Sequence, residues 1–102
     1  MSDYTPDRWV IIQIDEERKV LAGWLGGYLD GDHWRMSSYV QTIEDKGDHF
    51  IVTNQSGSVY KCIKDRFGHT TATAGIYRRL ESLVDKENVI FRSLSIEELC
   101  QG

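Results

Sequence analysis

The residue types best suited to recognition or chemistry are concentrated in one thirteen-residue segment, 23–35. The segment holds four glycines, three large aromatic side chains, two aspartates, a histidine and an arginine. Glycine permits a positive φ or a close approach of the backbone, and Trp, Tyr and Arg are the side chains that most often anchor binding surfaces. The combination predicts a recognition surface rather than a simple connection between strands.

Two carboxylates in this segment, Asp30 and Asp32, have the oxygen chemistry that Ca²⁺ and Mg²⁺ prefer. A calcium loop needs further oxygen ligands at fixed positions and a terminal glutamate, whereas His33, Trp34 and Arg35 follow here. Asp and Gly are also the residues that tight turns require. We therefore interpret Asp-Gly-Asp as a turn and predict no metal site.

The side chains suited to a catalytic base or nucleophile are dispersed. His33, His49 and His69 lie in different predicted elements without the i, i+4 spacing of a zinc site. The serines at 37, 38, 56 and 58 do not occur in Gly-x-Ser-x-Gly, and the glycines between 23 and 31 match neither phosphate-binding pattern. We predict no catalytic residue and no cofactor.

Aromatic residues form a second group of candidates, namely Trp24, Tyr28, Trp34, Tyr39 and Tyr60. Trp34 and Tyr60 fall in predicted strands beside other apolar positions, so we expect them in the core. Trp24 and Tyr28 are flanked by glycines in a predicted loop, where fewer neighbours can bury them. For these two, a binding role and a packing role both stay open.

Arg35 completes the candidate surface. It lies on the strand face opposite Trp34, where it can pair with Asp30, with Asp32 or with a carboxylate of a partner. The predicted binding residues are Trp24, Tyr28, Asp30, Asp32, Arg35, Tyr39 and Gln41.

Apolar runs and alternations predict the strands that must position these side chains. The strands cover residues 9–14, 20–25, 33–43, 49–53, 58–63 and 89–91. The first strand is apolar at neighbouring positions, which indicates cover on both faces. Charged or glycine-bearing turns join successive strands as hairpins, which is typical of an antiparallel meander.

One long amphipathic helix follows these strands. Apolar residues at 76, 80, 83 and 84 form one stripe, and a threonine at 71 or 73 can cap the helix. Gly75 costs about 1 kcal/mol relative to Ala in a helix, which suggests close packing in the first turns. The sequence Ser95-x-x-Glu98 has the form of a capping box and predicts a short C-terminal helix.

These elements predict an α+β fold, with five or six strands in one antiparallel meander sheet, one amphipathic helix on one face and a short C-terminal helix. A small, partly closed barrel with the helix as a plug is the alternative. The length of 102 residues suits a single domain, 1–102. Residues 1–7 are expected to form a loosely ordered arm unless Tyr4 docks.

Composition restricts the function further. The formal net charge of −4 argues against direct binding to nucleic acid, which needs clustered Lys and Arg. The sequence offers no apolar run of membrane-spanning length and no start typical of a secretion signal, so we expect a cytoplasmic protein that does not bind membranes. Cys62 and Cys100 lack the spacing of a zinc or redox motif and are expected to be reduced thiols.

The sequence predicts a non-catalytic protein-binding module, such as a small acidic inhibitor or adaptor carried by a bacteriophage or mobile element. Its negative charge favours a basic partner, for example a nucleic-acid-handling enzyme. One alternative is a small-molecule-binding domain or small enzyme with a pocket between sheet and helix, using His33 or His69 as base with Ser37 or Asp32 assisting. Another is a structural homodimer joined through the edge strand 89–91.

Overall fold

The computed structural model describes residues 3–25, 33–84 and 90–100, and within these ranges the chain forms two four-stranded sheets. The strands are β1 (Asp3–Tyr4), β2 (Arg8–Ile14), β3 (Glu17–Trp24), β4 (His33–Met36), β5 (Val40–Asp45), β6 (His49–Asn54), β7 (Val59–Ile63) and β8 (Phe91–Leu94). The helices are α1 (Thr71–Val84) and α2 (Ile96–Cys100), with a 3₁₀ turn at Lys64–Arg66. Sheet 1 has the order β1-β7-β6-β5 and sheet 2 the order β4-β3-β2-β8. β1 and β7 are parallel, and the other neighbouring pairs are antiparallel.

The main core lies between the two sheets. Side chains alternate across a strand, so every second residue of the central strands points inward. The inward side chains are Trp9 and Ile11 of β2, Val20 and Ala22 of β3, Phe50 and Val52 of β6, and Tyr60 and Cys62 of β7, all fully buried. Burial of a large apolar side chain stabilises the fold by about 1.5–3 kcal/mol, so these layers hold the two sheets together.

A second apolar layer covers the other face of sheet 2. There Val10, Ile12 and Leu21 pack against the inner side of α1, where Ile76 and Leu80 face them. The protein therefore has three layers in the order helix, sheet 2 and sheet 1. This arrangement confirms the α+β class and the antiparallel pairing, and it accounts for the continuous apolar run in β2.

The structure differs from the prediction in the number of strands and sheets. The predicted strand 33–43 is two strands, because the chain leaves sheet 2 after β4 and enters sheet 1 at β5. Eight strands in two sheets replace the single sheet of five or six, and the described strands do not close into a barrel. Alternation of residue types continues across the crossing, so the sequence pattern did not reveal it.

Two polar motifs fix the helix starts. At α1 the backbone N–H of Thr73 donates to Thr70 Oγ1 (3.1 Å), and the N–H of Thr70 donates to Thr73 Oγ1 (2.8 Å). Thr70 is therefore the capping residue, one position before the predicted range. At α2 the predicted capping box is present, since Ser95 and Glu98 exchange two hydrogen bonds of 3.2 Å.

Some predicted core positions lie at the surface. Leu83, which was expected in the buried stripe of α1, is 58% exposed, and Trp34 on β4 is 46% exposed. Gly75 has nothing within 4 Å of the position that a Cβ would take, so the close packing expected there is absent. Among the described residues, no helix combines the length and apolar character needed to cross a membrane.

Candidate functional site

The structure separates the predicted binding residues into two groups. Tyr28, Asp30 and Asp32 lie outside the described residues. Trp24 and Arg35 lie where β3 ends and pairs with β4, whereas Tyr39 and Gln41 lie where the chain enters β5. Tyr39 packs on Lys19 in the first half of β3, and Lys19 is about 16 Å along the strand from Trp24 at 3.3 Å per residue.

Trp24 serves partly as a packing group. Its half-buried ring lies against the main core and meets the ring of Tyr4 edge to face, with centroids 6.0 Å apart. Its Nε1 donates a hydrogen bond to the carbonyl of Thr5 (3.2 Å). These contacts attach the residues before β2 to the end of the sandwich.

Arg35 lies on the same side of sheet 2 and covers the ring of Tyr4, with its guanidinium carbon 4.8 Å from the ring centroid. Tyr4 in turn stacks on the buried Tyr60, at 4.9 Å between centroids. Burial raises the pKa of Tyr60, and the nearby Arg35 only partly offsets this effect. Within the described residues Arg35 is thus engaged by an aromatic stack rather than by a carboxylate.

The second group lines a cleft between β5, the edge strand of sheet 1, and the end of sheet 2 where β2 turns into β3. One wall comes from the start of β5 and the other from the turn between β2 and β3, with α2 at one end. The lining residues are Glu16, Glu17, Arg18, Tyr39, Val40, Gln41, Ile43 and Leu99, and the cleft has a volume of about 410 Å³. Two predicted binding residues, Tyr39 and Gln41, therefore face a concave surface that contains two carboxylates. We refer to these eight residues as the Tyr39 cleft.

Local backbone geometry places both walls. The turn between β2 and β3 is a tight two-residue connection in which Asp15 has a positive φ of 54°. Glu16 therefore lies at the tip of the turn, and Glu17 follows as the first residue of β3. Across the cleft, the pairing register of β5 shifts between Val40 and Thr42. Gln41 is the extra residue of this bulge, and such a bulge bends an edge strand and redirects a side chain.

The exposed side chain of Tyr39 lies beside one carboxylate, that of Glu17, and one ammonium group, that of Lys19. Hydrogen bonding to Glu17, together with the charge of that carboxylate, raises the pKa of Tyr39. The ammonium of Lys19 lies over the phenol ring, 4.8 Å from its centroid. Within the described parts of the chain, Glu16, Glu17 and Arg18 form no ion pairs. The charged lining of the cleft is therefore two carboxylates and one guanidinium, an excess of one negative charge.

A shallower groove lies on the other side of the same turn. It is lined by Gln13, Ile14, Asp15, Glu16, Glu17 and Ile90 and has a volume of about 790 Å³. Asp15 and Ile90 hold its floor together, since the N–H of each donates to an oxygen of the other (2.8 and 3.1 Å). Both concave surfaces thus share the carboxylates of Glu16 and Glu17.

The residues named for the enzyme alternative have separate environments. The Ser37 hydroxyl is buried and bonded to backbone at the crossing between the sheets. His69 contacts Thr73 Oγ1 (3.2 Å) and the ring of Tyr77, and burial lowers its pKa. Over residues 3–25, 33–84 and 90–100, no group of three or more His, Cys, Asp or Glu side chains is placed to hold a metal ion.

Comparison of the chain with protein-family models, with curated proteins and with solved structures finds no match. The Tyr39 cleft is therefore the feature from which we infer a function. The sequence predicts Tyr39 and Gln41 as binding residues, whereas Glu16, Glu17 and Lys19 belong to a charged segment that predicts only a turn. The signal that was available is the run of five charged residues, 15–19, which exceeds what a two-residue turn requires.

Proposed function

We propose that the protein is a non-catalytic protein-binding module that holds a basic segment of a protein partner in the Tyr39 cleft. The observation that carries this proposal is the convergence of Glu16 and Glu17 with the exposed Tyr39 and Gln41 around one concavity. An aromatic ring supplies contact area at low entropic cost, and the carboxylates supply charge recognition.

The excess of carboxylates over the guanidinium of Arg18 in the cleft lining favours a cationic partner. The whole chain has a formal net charge of −4, and an acidic surface accelerates encounter with a basic protein and disfavours encounter with nucleic acid. Nucleic-acid-handling enzymes present basic surfaces of the kind that the cleft would complement. A small acidic inhibitor or adaptor that covers such a surface, of the type carried by bacteriophages and mobile elements, is the form of activity we propose.

The experiment that tests this function compares partner capture by matched charge variants. Glu16→Gln with Glu17→Gln removes the carboxylates of the cleft, while Asp65→Asn with Glu81→Gln makes the same charge change at exposed positions elsewhere. Each tagged protein is used to capture partners from the native host, and the captured proteins are quantified by mass spectrometry. We expect the wild type and the control to retain a basic protein that the cleft variant loses. Equal retention by both variants would contradict the use of this cleft.

Self-association is a second candidate, favoured by one observation at the other edge of sheet 2. β8 is an edge strand, and Ile90 beside it is 61% exposed. An edge strand offers unpaired backbone groups to a second strand, and the exposed side chain of Ile90 adds an apolar contact beside it. Val89, part of the predicted seam, lies outside the described residues. Sedimentation velocity over a range of concentrations tests this candidate, because a strict monomer at high concentration excludes it.

A further inference from the structure

Lys19 is not itself in the lining of the Tyr39 cleft, but it contacts the aromatic residue of that lining, Tyr39. Lys19 lies on β3, next to the acidic turn, and its side chain is half-buried. Its Nζ sits over the ring of Tyr39 at 4.8 Å from the centroid, within the range of an attractive cation–π contact. Tyr39 itself is 41% exposed, so the residue that receives this cation also faces solvent at the cleft.

The contact is of a weak and exchangeable kind. Among the described residues Lys19 forms no ion pair with a carboxylate within 4 Å, so no salt bridge fixes its ammonium over the ring. Cation–π contacts at exposed sites are modest because the cation keeps most of its water. Another cation that reaches the ring of Tyr39 with better geometry, or with a second contact to Glu16 or Glu17, can therefore replace Lys19.

We infer that Lys19 occupies the place that a lysine or arginine side chain of the partner takes at Tyr39, and that binding displaces it. This inference rests on the proposed function and identifies the chemical group that the cleft recognises. The partner's cation would lie against the ring of Tyr39 with the carboxylate of Glu17 beside it. The rest of the basic segment would lie along the start of β5 toward Gln41.

Removal of Lys19 should change binding in the direction opposite to removal of a residue that contacts the partner. Lys19 competes with the partner for one site, so its removal must strengthen binding of a cationic ligand. A competing contact of this strength lowers affinity by about two- to fivefold. Removal of any positive charge from the protein also raises its affinity for a cationic ligand. The experiment has to separate this general effect from the release of the Tyr39 ring.

Lys61 provides the matched control. It is an exposed lysine of β7 that projects from the outer face of sheet 1, opposite Ile51 and away from the core. Lys19→Gln and Lys61→Gln change the net charge equally, but only the first frees the ring of Tyr39. Lys19→Met serves as a second variant, because it keeps an aliphatic chain where packing of the Lys19 stem contributes to folding.

The probe is a tetralysine peptide with blocked ends, titrated into each protein at low ionic strength. Binding is measured by calorimetry, and the ring resonances of Tyr39 are followed by NMR. We expect Lys19→Gln and Lys19→Met to bind about two- to fivefold more tightly than Lys61→Gln. Adding Tyr39→Leu to Lys19→Gln should remove that advantage, and the ring resonances of Tyr39 should shift during titration of the wild type.

The outcomes distinguish the two proposals. Equal gains for Lys19→Gln and Lys61→Gln would overturn displacement and leave the acidic cleft as the binding site. If Lys19→Gln still binds the peptide more tightly after Tyr39→Leu is added, the ring of Tyr39 has no role in the gain. That result would also overturn displacement. Absence of peptide binding by every protein would overturn both displacement and the cationic preference of the cleft.

Discussion

Ser37 and Val20 exchange hydrogen bonds at the point where the chain crosses between the two sheets. The N–H of Ser37 donates to the carbonyl of Val20 (2.9 Å), and the N–H of Val20 donates to Ser37 Oγ (2.8 Å). The hydroxyl then donates to the carbonyl of Ser38 (2.6 Å). A side chain thus takes the place of a strand partner for β3, which allows the backbone to turn toward sheet 1 without leaving a buried donor unpaired.

Replacement of this serine should destabilise the fold. Ser37→Ala leaves the buried N–H of Val20 without its acceptor, and such a loss costs about 1–3 kcal/mol. Ser38→Ala is the matched control, because the hydroxyl of Ser38 bonds at the surface to Ser56. Urea unfolding followed by tryptophan fluorescence measures both. Equal stability of Ser37→Ala and wild type would show that water replaces the hydroxyl at this crossing.

The crossing also shows what the sequence could and could not predict. The strands at 8–14, 49–54 and 59–63, the helix α1 and the capping box of α2 were accessible, because each has a local signature in periodicity or capping. The division of 33–43 was not accessible, since alternation continues while the strand changes sheets. The partner of Ser37 is seventeen residues away in sequence, and no local pattern reports such a contact.

The candidate site could be predicted only in part for the same reason, because its residues are distant from one another in sequence. Residue type alone identifies Tyr39 and Gln41, but their neighbours Glu16 and Glu17 belong to the β2–β3 hairpin of the other sheet. Trp34 was expected in the core because it follows the alternation of a strand. It is exposed because β4 is the edge of sheet 2, and edge position is a property of the topology.

Two glycines should respond in opposite directions to substitution by alanine. A Cβ at Gly23 would lie 2.8 Å from side-chain atoms of Thr70 and Thr73, so Gly23→Ala must disturb the cap of α1. A Cβ at Gly75 meets nothing within 4 Å, and Ala is favoured over Gly in a helix by about 1 kcal/mol. We expect Gly23→Ala to lower the thermal midpoint and Gly75→Ala to raise it in calorimetry. A stabilised Gly23→Ala would contradict the close approach of α1 to β3.

Two tryptophans should differ in their effect on stability. Trp24 packs against Tyr4 and donates a hydrogen bond to Thr5, so Trp24→Ala should cost about 1–3 kcal/mol through lost burial and the lost hydrogen bond. Trp34 is 46% exposed on an edge strand, and Trp34→Ala should change stability by about 0.5 kcal/mol or less. Chemical unfolding of both variants measures the difference. Equal losses would place Trp34 in a packed environment.

Stability should depend on Asp45 at acidic pH. Hydrogen bonds from Lys64 first, and then from the backbone N–H of Gly47, lower the pKa of Asp45 from 3.8 to about 2. Because the folded-state pKa lies below the unfolded value, this contribution is complete above pH 3.8 and is lost as the pH falls toward 2. Asp45→Asn should flatten the decline in stability between these two pH values.

The matched control for this pH dependence is Asp65→Asn, which removes an exposed carboxylate that has no ion pair among the described residues. Thermal unfolding is measured for both variants and the wild type from pH 5 to pH 2. The wild type and Asp65→Asn should lose stability more steeply than Asp45→Asn in this interval. Parallel curves for all three proteins would show that the bond from Lys64 to Asp45 does not persist in solution.

The two cysteines should react at very different rates. Cys62 is fully buried between the sheets, and burial raises its pKa to about 12. Cys100 is exposed at the end of α2, where its Sγ lies 3.3 Å from Asp45 Oδ2 and 3.8 Å from Lys64 Nζ. The thiolate is the nucleophile, so iodoacetamide at neutral pH should alkylate Cys100 in the folded protein and Cys62 only after unfolding. Peptide mapping by mass spectrometry assigns each site. Rapid alkylation of Cys62 under native conditions would require the two sheets to separate on the timescale of labelling, which contradicts a core formed by Phe50, Tyr60 and their neighbours.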